Sequence, residues 1–217
     1  MIEIIPSILT DNAQHCIDLL KQAEGKTGKV QIDIVDGVFA DNKTIDPIVL
    51  QEIDTSLNLD FHLMVKEPIN WVEKSILAGG ERIIGHIEMM QDQAAFIDKV
   101  QLAGRTPGFA IDLDTPIIDL NTDLLSAVGV VIIMSVKAGF GGQEFQQSVL
   151  DKISALHQIR EEKGLQFKIC DDGGVTFNWA DDIRRKGVDE IAIGMRIFNG
   201  NLEENIKQYE SAAGDRK

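Results

Sequence analysis

Eight extended segments that alternate with helical patterns predict a closed (β/α)8 barrel, the TIM-barrel class of α/β fold. Two further observations favour this fold. The chain has 217 residues, which is near the usual size of such a barrel, and no linker or low-complexity segment interrupts the alternation. We therefore expect a single barrel domain over residues 1–217.

The extended segments are apolar runs rich in β-branched residues and bounded by turn residues. They are predicted at residues 2–9, 29–36, 59–65, 82–88, 106–113, 128–136, 166–172 and 190–198. Helical stripes with the spacing i, i+3, i+4, i+7 lie between them. The clearest are Ala13, Cys16, Ile17 and Leu20, then Ile69, Val72 and Ile76, and then Val149, Ile153, Leu156 and Ile159. Gly164 follows the last stripe and is predicted to cap the C-terminal end of that helix.

An open, doubly wound sheet is the alternative fold. It normally has fewer strands, and a Gly-x-Gly-x-x-Gly turn after the first strand would favour it. The first strand of this chain instead reads Pro6-Ser7-Ile8-Leu9, which supports the barrel.

The composition narrows the classes of function. The chain is 44% hydrophobic and 26% charged, as in an ordinary globular protein, and its formal net charge is −14. Such a charge argues against nucleic acids and acidic membranes as partners. The two cysteines, Cys16 and Cys170, lack metal-finger spacing, and no targeting segment is recognisable, so we expect a cytoplasmic protein with reduced thiols.

The second strand carries polar residues on one face. Because side chains alternate along a strand, Val30, Ile32 and Ile34 share an apolar face, while Gln31 and Asp33 lie on the other. An edge strand with one wet face would explain this pattern in isolation. The pattern recurs on other strands, however, and the C-terminal ends of barrel strands form the active site in this fold. The residues so placed are Ser7, Gln31, Asp33, His62, His86, Glu88, Asp112 and Asp172.

Asp33, His62 and Asp172 form a set that could bind a divalent metal ion and leave positions open for substrate oxygens. His86 could pair with Glu88 behind His62 or could be purely structural. His15 and His157 lie on predicted helices and are interpreted as surface residues.

Glycines cluster after three successive strands, where barrels of this class bind phosphate with backbone N–H groups. The clusters are Gly139-Phe140-Gly141-Gly142-Gln143, Asp172-Gly173-Gly174 and Gly194-Met195-Arg196. Arg196 would add a local cation to an otherwise acidic protein.

These motifs resemble, in order along nearly the whole chain, those of the ribulose-phosphate 3-epimerase family, whose members are metal-dependent (β/α)8 barrels acting on pentulose phosphates. The matching segments are Pro6-Ser7-Ile8-Leu9, Asp33-Ile34-Val35-Asp36-Gly37-Val38-Phe39 with Asn42, His62-Leu63-Met64-Val65 with Pro68, His86-Ile87-Glu88, Met134-Ser135-Val136, Gly139-Phe140-Gly141-Gly142-Gln143 with Phe145, and Asp172-Gly173-Gly174-Val175.

The resemblance implies a role for each matching residue. Asp33 and Asp172 would be the acid and base on opposite faces of the substrate. With His62 they would hold one divalent ion (zinc, iron, manganese or cobalt), and Met64 and Met134 would pack against the reaction intermediate, with His86 and Glu88 behind. The implied substrate- and phosphate-binding residues are Ser7, His62, Gly139, Phe140, Gly141, Gly142, Gly173, Gly174, Gly194, Met195 and Arg196.

The chain departs from the family pattern at several positions. Gln31 stands where the family has a histidine that ligates the metal, and an amide oxygen is a poorer ligand for zinc-like ions. The metal site is therefore expected to be weakened or lost. The other departures are Val35 for a methionine, Ala138 for a proline, Asp112-Leu113 for an asparagine-proline pair, and Met195 for a serine.

Three functions fit the sequence. The first is an epimerase that converts D-ribulose 5-phosphate to D-xylulose 5-phosphate, or that acts on another ketose phosphate such as a hexulose 6-phosphate. The second is a barrel that binds a sugar phosphate without catalysis. The third, a metal-free decarboxylase, is disfavoured because Val35 stands where such enzymes have a lysine. The resemblance also implies self-association into a homo-oligomer.

Overall fold

A computed structural model describes residues 2–214 and shows a closed barrel of eight parallel strands, in which each strand pairs with its neighbours in sequence order and β8 pairs with β1. The predicted fold class is confirmed. The strands are β1 (Glu3–Ile8), β2 (Lys29–Val35), β3 (Asn58–Met64), β4 (Gly80–His86), β5 (Thr106–Ile111), β6 (Val130–Met134), β7 (Lys168–Asp172) and β8 (Glu190–Ile193).

Six α-helices within residues 2–214 cover the outside of the barrel. They are α1 (Ala13–Ala23), α2 (Val72–Leu77), α3 (Gln93–Leu102), α4 (Val149–Lys163), α5 (Phe177–Arg185) and α6 (Leu202–Ala212). Gly164 ends α4 in the left-handed conformation, with φ of 62°, as its position predicts. No helix in this part of the chain is both long and apolar enough to cross a bilayer.

Two β-to-β connections carry short 3-10 turns in place of the expected helix. Pro47–Leu50 follows β2, and Ile117–Asp119 with Leu125–Ala127 follows β5. The second connection is rich in Asp, Thr, Asn and Pro, which favour turns and caps over a helix interior. The predicted eighth strand is also too long, because residues 195–198 form a 3-10 turn after Gly194.

The core has two layers. Val30, Ile32 and Ile34 on β2 are fully buried beneath the helices, as the alternation predicts. The barrel interior contains a smaller apolar group that includes Val35, Met64, Ile132 and Met134.

A buried ion network fills the barrel interior at the N-terminal ends of the strands. Arg82 donates from Nε to Asp60 Oδ1 at 2.8 Å and from Nη2 to Glu190 Oε2 at 2.8 Å. Lys29 Nζ lies 2.9 Å from Glu190 Oε1. Burial alone would raise the pKa of Glu190, but the charges of Arg82 and Lys29 outweigh burial and lower it. Removing one partner from such a network leaves a buried charge uncompensated.

We expect Glu190→Gln to lower the free energy of unfolding by about 2–4 kcal/mol at pH 7, since Arg82 would lose its second carboxylate. The folded-state pKa of Glu190 lies below its unfolded value, so its stabilising contribution is present above the unfolded pKa and is lost as the pH falls through the folded pKa. The difference between variant and wild type should therefore shrink in acid. Urea unfolding at pH 7 and pH 4 measures it.

The exposed Glu203, which pairs with Lys207 one turn along α6, provides the matched control. Glu203→Gln should unfold close to the wild type. Equal effects of the two substitutions would mean that the network in the barrel does not stabilise the fold.

Candidate active site

A cavity of about 600 Å³ opens at the C-terminal ends of the strands. Many of the predicted site residues line it: Ser7, Asp33, Met64, Met134, Gly139, Phe140, Gly141, Gly142, Asp172, Gly173, Gly174, Gly194, Met195 and Arg196. His62 and His86 are fully buried beneath this surface. The cavity is therefore a polar-floored pocket with glycine-rich loops on one side.

The floor is a cluster of two carboxylates and an imidazole. Asp33 is 7% exposed and Asp172 is 8% exposed, and both belong to strands that aim alternate side chains into the barrel. His62 Nδ1 lies 3.0 Å from Asp33 Oδ1 and 3.5 Å from Asp172 Oδ2. Ser7, on the neighbouring strand, donates its hydroxyl to Asp33 Oδ2.

These three side chains could hold a metal ion. Asp33, His62 and Asp172 each present one ligand atom, and the three atoms lie within 4.8 Å of one another. Carboxylate oxygens and an imidazole nitrogen are common ligands of divalent transition metals.

Gln31 does not complete the metal-binding set. Its amide nitrogen faces the cluster and donates to Asp33 Oδ1 at 2.8 Å and to Asp172 Oδ2 at 2.7 Å. An amide N–H₂ group has no lone pair for a metal, and here it uses the very oxygens that a metal would bind. As oriented, the four side chains fit an amide-bridged carboxylate pair and do not fit a metal ion.

The charges in the cluster depend on burial and on hydrogen bonds. Burial raises the pKa of Asp33, an effect that His62 opposes and that the neighbouring Asp172 reinforces. Burial alone would lower the pKa of His62, but its hydrogen bonds to Asp172 and Asp33 raise it to about 9. At neutral pH the imidazole is therefore a cation next to the carboxylates.

A hydrogen-bonded chain leads away from the cluster. His62 Nε2 lies 2.9 Å from His86 Nε2, and His86 Nδ1 lies 3.0 Å from Glu88 Oε2. Burial lowers the pKa of His86, and the charge of His62 adds to this effect. Burial would raise the pKa of Glu88, but the hydrogen bond with His86 is the main influence that lowers it to about 2. The assignment that satisfies every group has His62 donating to His86 and His86 donating to Glu88.

The glycine-rich loops offer backbone donors to the cavity. Among the described residues, none accepts a hydrogen bond from the N–H groups of Gly174, Met195 and Arg196. Arg196 brings its guanidinium to the same side of the pocket and lies 3.4 Å from the carbonyl oxygen of Val175. Unpaired N–H groups next to a cation can bind an anion such as a phosphate.

Two contacts hold the loop after β6 in place. Asn42 donates from Nδ2 to the carbonyl oxygen of Gly139 at 2.7 Å, which ties the loop after β2 to the loop after β6. Asp112 accepts from the backbone N–H of Ala138 at 2.8 Å. Asp112 was predicted to lie near the site. Its carboxylate forms a hydrogen bond with the backbone of this loop.

Sequence reasoning missed several features of this region. His15 is exposed on α1, as predicted, and it also lines the cavity, because the first turn of the helix after a barrel strand lies at the same end of the barrel. Leu9, Phe198 and Asn199 also line it. Asp171 points away from the cavity and accepts a hydrogen bond from the Ser135 hydroxyl, and burial raises its pKa to about 8.

Comparison with known proteins gives a consistent picture. A sequence model of the Ribulose-phosphate 3 epimerase family matches residues 3–198. Curated relatives include the ribulose-phosphate 3-epimerase of Synechocystis sp., 33% identical over 91% of this chain and 88% of that protein, and that of Escherichia coli, 31% identical over 90% and 88%. The chloroplastic ribulose-5-phosphate-3-epimerase of Arabidopsis thaliana is 33% identical over 96% and 76%.

Solved structures share the fold at low sequence identity. Phosphoribosyl anthranilate isomerase from Thermococcus kodakaraensis superposes with a TM-score of 0.66 and 13% identity, covering 99% of this chain and 100% of that chain. At this identity the likeness concerns the barrel alone.

We expect Gly174→Ala to lower the free energy of unfolding by about 2–4 kcal/mol, because it combines backbone strain with a collision. Gly174 has φ of +65°, and a β-carbon there would lie 2.8 Å from the carbonyl oxygen of Gln143. Gly142 is the control, since its φ is +77° but a β-carbon would meet nothing within 4 Å. Gly142→Ala should lose only about 1 kcal/mol, from strain alone.

Urea unfolding of both variants measures the difference. Inorganic phosphate should raise the melting temperature of wild type more than that of Gly174→Ala, since the collision displaces the loop. Equal losses of stability in the two variants would show that the close approach of Gly174 to residues 143–145 does not affect the free energy of unfolding.

Proposed function

The chain belongs to the ribulose-phosphate 3-epimerase family, and we propose that it inverts C3 of a ketose phosphate, converting D-ribulose 5-phosphate to D-xylulose 5-phosphate. The proposal rests on this family membership and on the cavity at the C-terminal ends of the strands. The observation that carries this proposal is the pair of nearly buried carboxylates, Asp33 and Asp172, bridged by one amide on the floor of a sugar-sized cavity.

Inversion at a carbon next to a ketone requires one proton to leave and another to arrive on the opposite face. One of the two carboxylates removes the C3 proton. The C3–H electron pair forms a C2=C3 double bond and the π pair of the C2 carbonyl group moves to its oxygen, which gives a cis-enediolate. The other carboxyl group delivers its proton to the opposite face of C3; the C2=C3 electron pair forms the new C3–H bond and the C2 carbonyl group re-forms. The substrate thus ends with the same number of protons, and the two carboxyl groups exchange protonation states.

The pair must return to its starting protonation state before the next turnover in the same direction. His62 Nδ1 is within 3.0 Å of Asp33 Oδ1 and 3.5 Å of Asp172 Oδ2, which supports a role in moving a proton between them. The hydrogen bonds from His62 through His86 to Glu88 keep that imidazole in a fixed orientation.

The rest of the cavity suits a phosphorylated sugar. The loops carrying Gly174, Met195 and Arg196 supply backbone donors and a cation for the phosphate, which orients C3 towards the carboxylates. Met64 and Met134 line the wall, and their apolar side chains would exclude water from the enediolate. In the family the serine at the position of Met195 would add a hydroxyl donor, so here the backbone and Arg196 carry more of the phosphate binding.

A divalent ion bound at Asp33, His62 and Asp172 would supply charge stabilisation of the enediolate. Since the amide of Gln31 occupies the oxygens that such an ion would bind, no step of the proposed reaction is assigned to a metal. Three expectations from the sequence stay predictions: the identity of a bound ion as zinc, iron, manganese or cobalt, the cytoplasmic location, and the assembly into a homo-oligomer.

We expect wild type to exchange the C3 proton of both epimers with deuterated water. Asp33→Asn and Asp172→Asn should each lose interconversion by at least about 10³-fold, because each lacks one of the two acid/base groups. Each variant should still exchange the C3 proton of one epimer, a different one in each case, since the remaining carboxylate faces only one side of C3. NMR of deuterium incorporation measures both rates.

Asp18→Asn on the exposed face of α1 is the control and should behave as wild type. Binding of ribulose 5-phosphate by wild type without any C3 exchange would favour the non-catalytic function. Exchange with a hexulose 6-phosphate alone would keep the mechanism and change the substrate.

A further inference from the structure

We propose that the side-chain amide of Gln31 replaces the metal ion of this site: it bridges the two acid/base carboxylates, so that the pair functions without a bound cation. The catalytic part of this inference depends on the function proposed above, whereas the replacement of the metal does not. Gln31 acts here as a positioning residue, since it contacts the carboxylates and not the substrate.

The amide nitrogen lies among the potential ligand atoms. Gln31 Nε2 is 2.8 Å from Asp33 Oδ1, 2.7 Å from Asp172 Oδ2 and 3.4 Å from His62 Nδ1. The group has two hydrogens, and each carboxylate accepts one of them. Both contacts have the length of charge-assisted hydrogen bonds.

The surroundings determine which amide atom faces inward. With Oε1 turned towards the cluster, its lone pairs would meet the oxygen of at least one ionised carboxylate at less than 3 Å, with no hydrogen between them. Binding a cation would require this turn, because only the amide oxygen can be a ligand. The amide bridge and a metal ion therefore exclude each other at this site.

The strand holds Gln31 in this position. The residue is 1% exposed and lies on the inner face of β2, two residues before Asp33 and in register with Ser7 of β1. Ser7 and His62 hold Asp33 from other directions, so the carboxylate has little freedom to move away from the amide. Because Gln31 is buried, water does not compete with the two carboxylates for its amide N–H groups.

The bridge also suits a reaction in which the two carboxyl groups exchange protonation states. Hydrogen bonds to an ionised carboxylate are stronger than those to a neutral acid. One nitrogen that donates to both groups can therefore strengthen its bond to whichever is ionised, without moving.

The experiment compares wild type with Gln31→His and Gln31→Leu after exhaustive treatment with EDTA. Gln31→His introduces an imidazole ligand, and Gln31→Leu has a similar volume without N–H groups. Co²⁺ is titrated into each protein and followed by its visible absorption, and C3 proton exchange with ribulose 5-phosphate is measured with and without EDTA. Urea unfolding of each variant checks that it is folded.

We expect wild type to bind Co²⁺ at least about 100-fold more weakly than Gln31→His. Wild-type exchange should be unaffected by EDTA, whereas exchange by Gln31→His should require the metal. Exchange by EDTA-treated Gln31→Leu should fall at least about 100-fold. Wild type that binds Co²⁺ as tightly as Gln31→His, or that loses exchange in EDTA, would overturn the proposal.

The two proposals can fail separately. If wild type exchanges no proton of ribulose 5-phosphate under any condition, the proposed function fails, and Co²⁺ affinity alone decides whether the amide has replaced the metal. If Gln31→Leu does not fold, the comparison of wild type with Gln31→His still decides it.

Discussion

The structure depends on one constraint, the need for every polar group inside a closed barrel to find a partner there. Alternate residues of each strand point inward, so residues such as Asp33 and Glu190 have no route to bulk water except at the two ends. The chain meets this constraint with two polar layers, a lower one towards the N-terminal ends of the strands and an upper one towards their C-terminal ends. Ion pairs with Arg82 satisfy the lower layer, and hydrogen bonds from Gln31, His62 and Ser7 satisfy the upper one.

The two layers use different chemistry for a physical reason. The lower layer joins fully formed opposite charges, which makes it rigid and unsuited to proton transfer. The upper layer places two carboxylates close together and moderates their repulsion with an amide and an imidazole. The same fold thus stabilises one end of the barrel and keeps reactive groups at the other.

Much of the fold was predictable from the sequence, because periodicity and glycine placement report on local structure. The alternation of side chains along β2 alone predicted that Gln31 and Asp33 lie together on the face opposite to Val30, Ile32 and Ile34. The contacts between side chains were not predictable in the same way. That Gln31 would turn its nitrogen to two carboxylates, one of them 141 positions away along the chain, depends on strand register around the closed barrel. The ion network of Asp60, Arg82 and Glu190 depends on strand register in the same way and was not predicted from the sequence.

The ion network at the lower end of the barrel affects where a substrate can enter and a product can leave. Lys29, Asp60, Arg82 and Glu190 fill the interior at that end with paired charges, whereas the cavity opens at the other end. A sugar phosphate must enter and leave on the same side, past the glycine-rich loops. One molecule must depart before the next can arrive, and the release step is thereby coupled to the loosening of the phosphate from those loops.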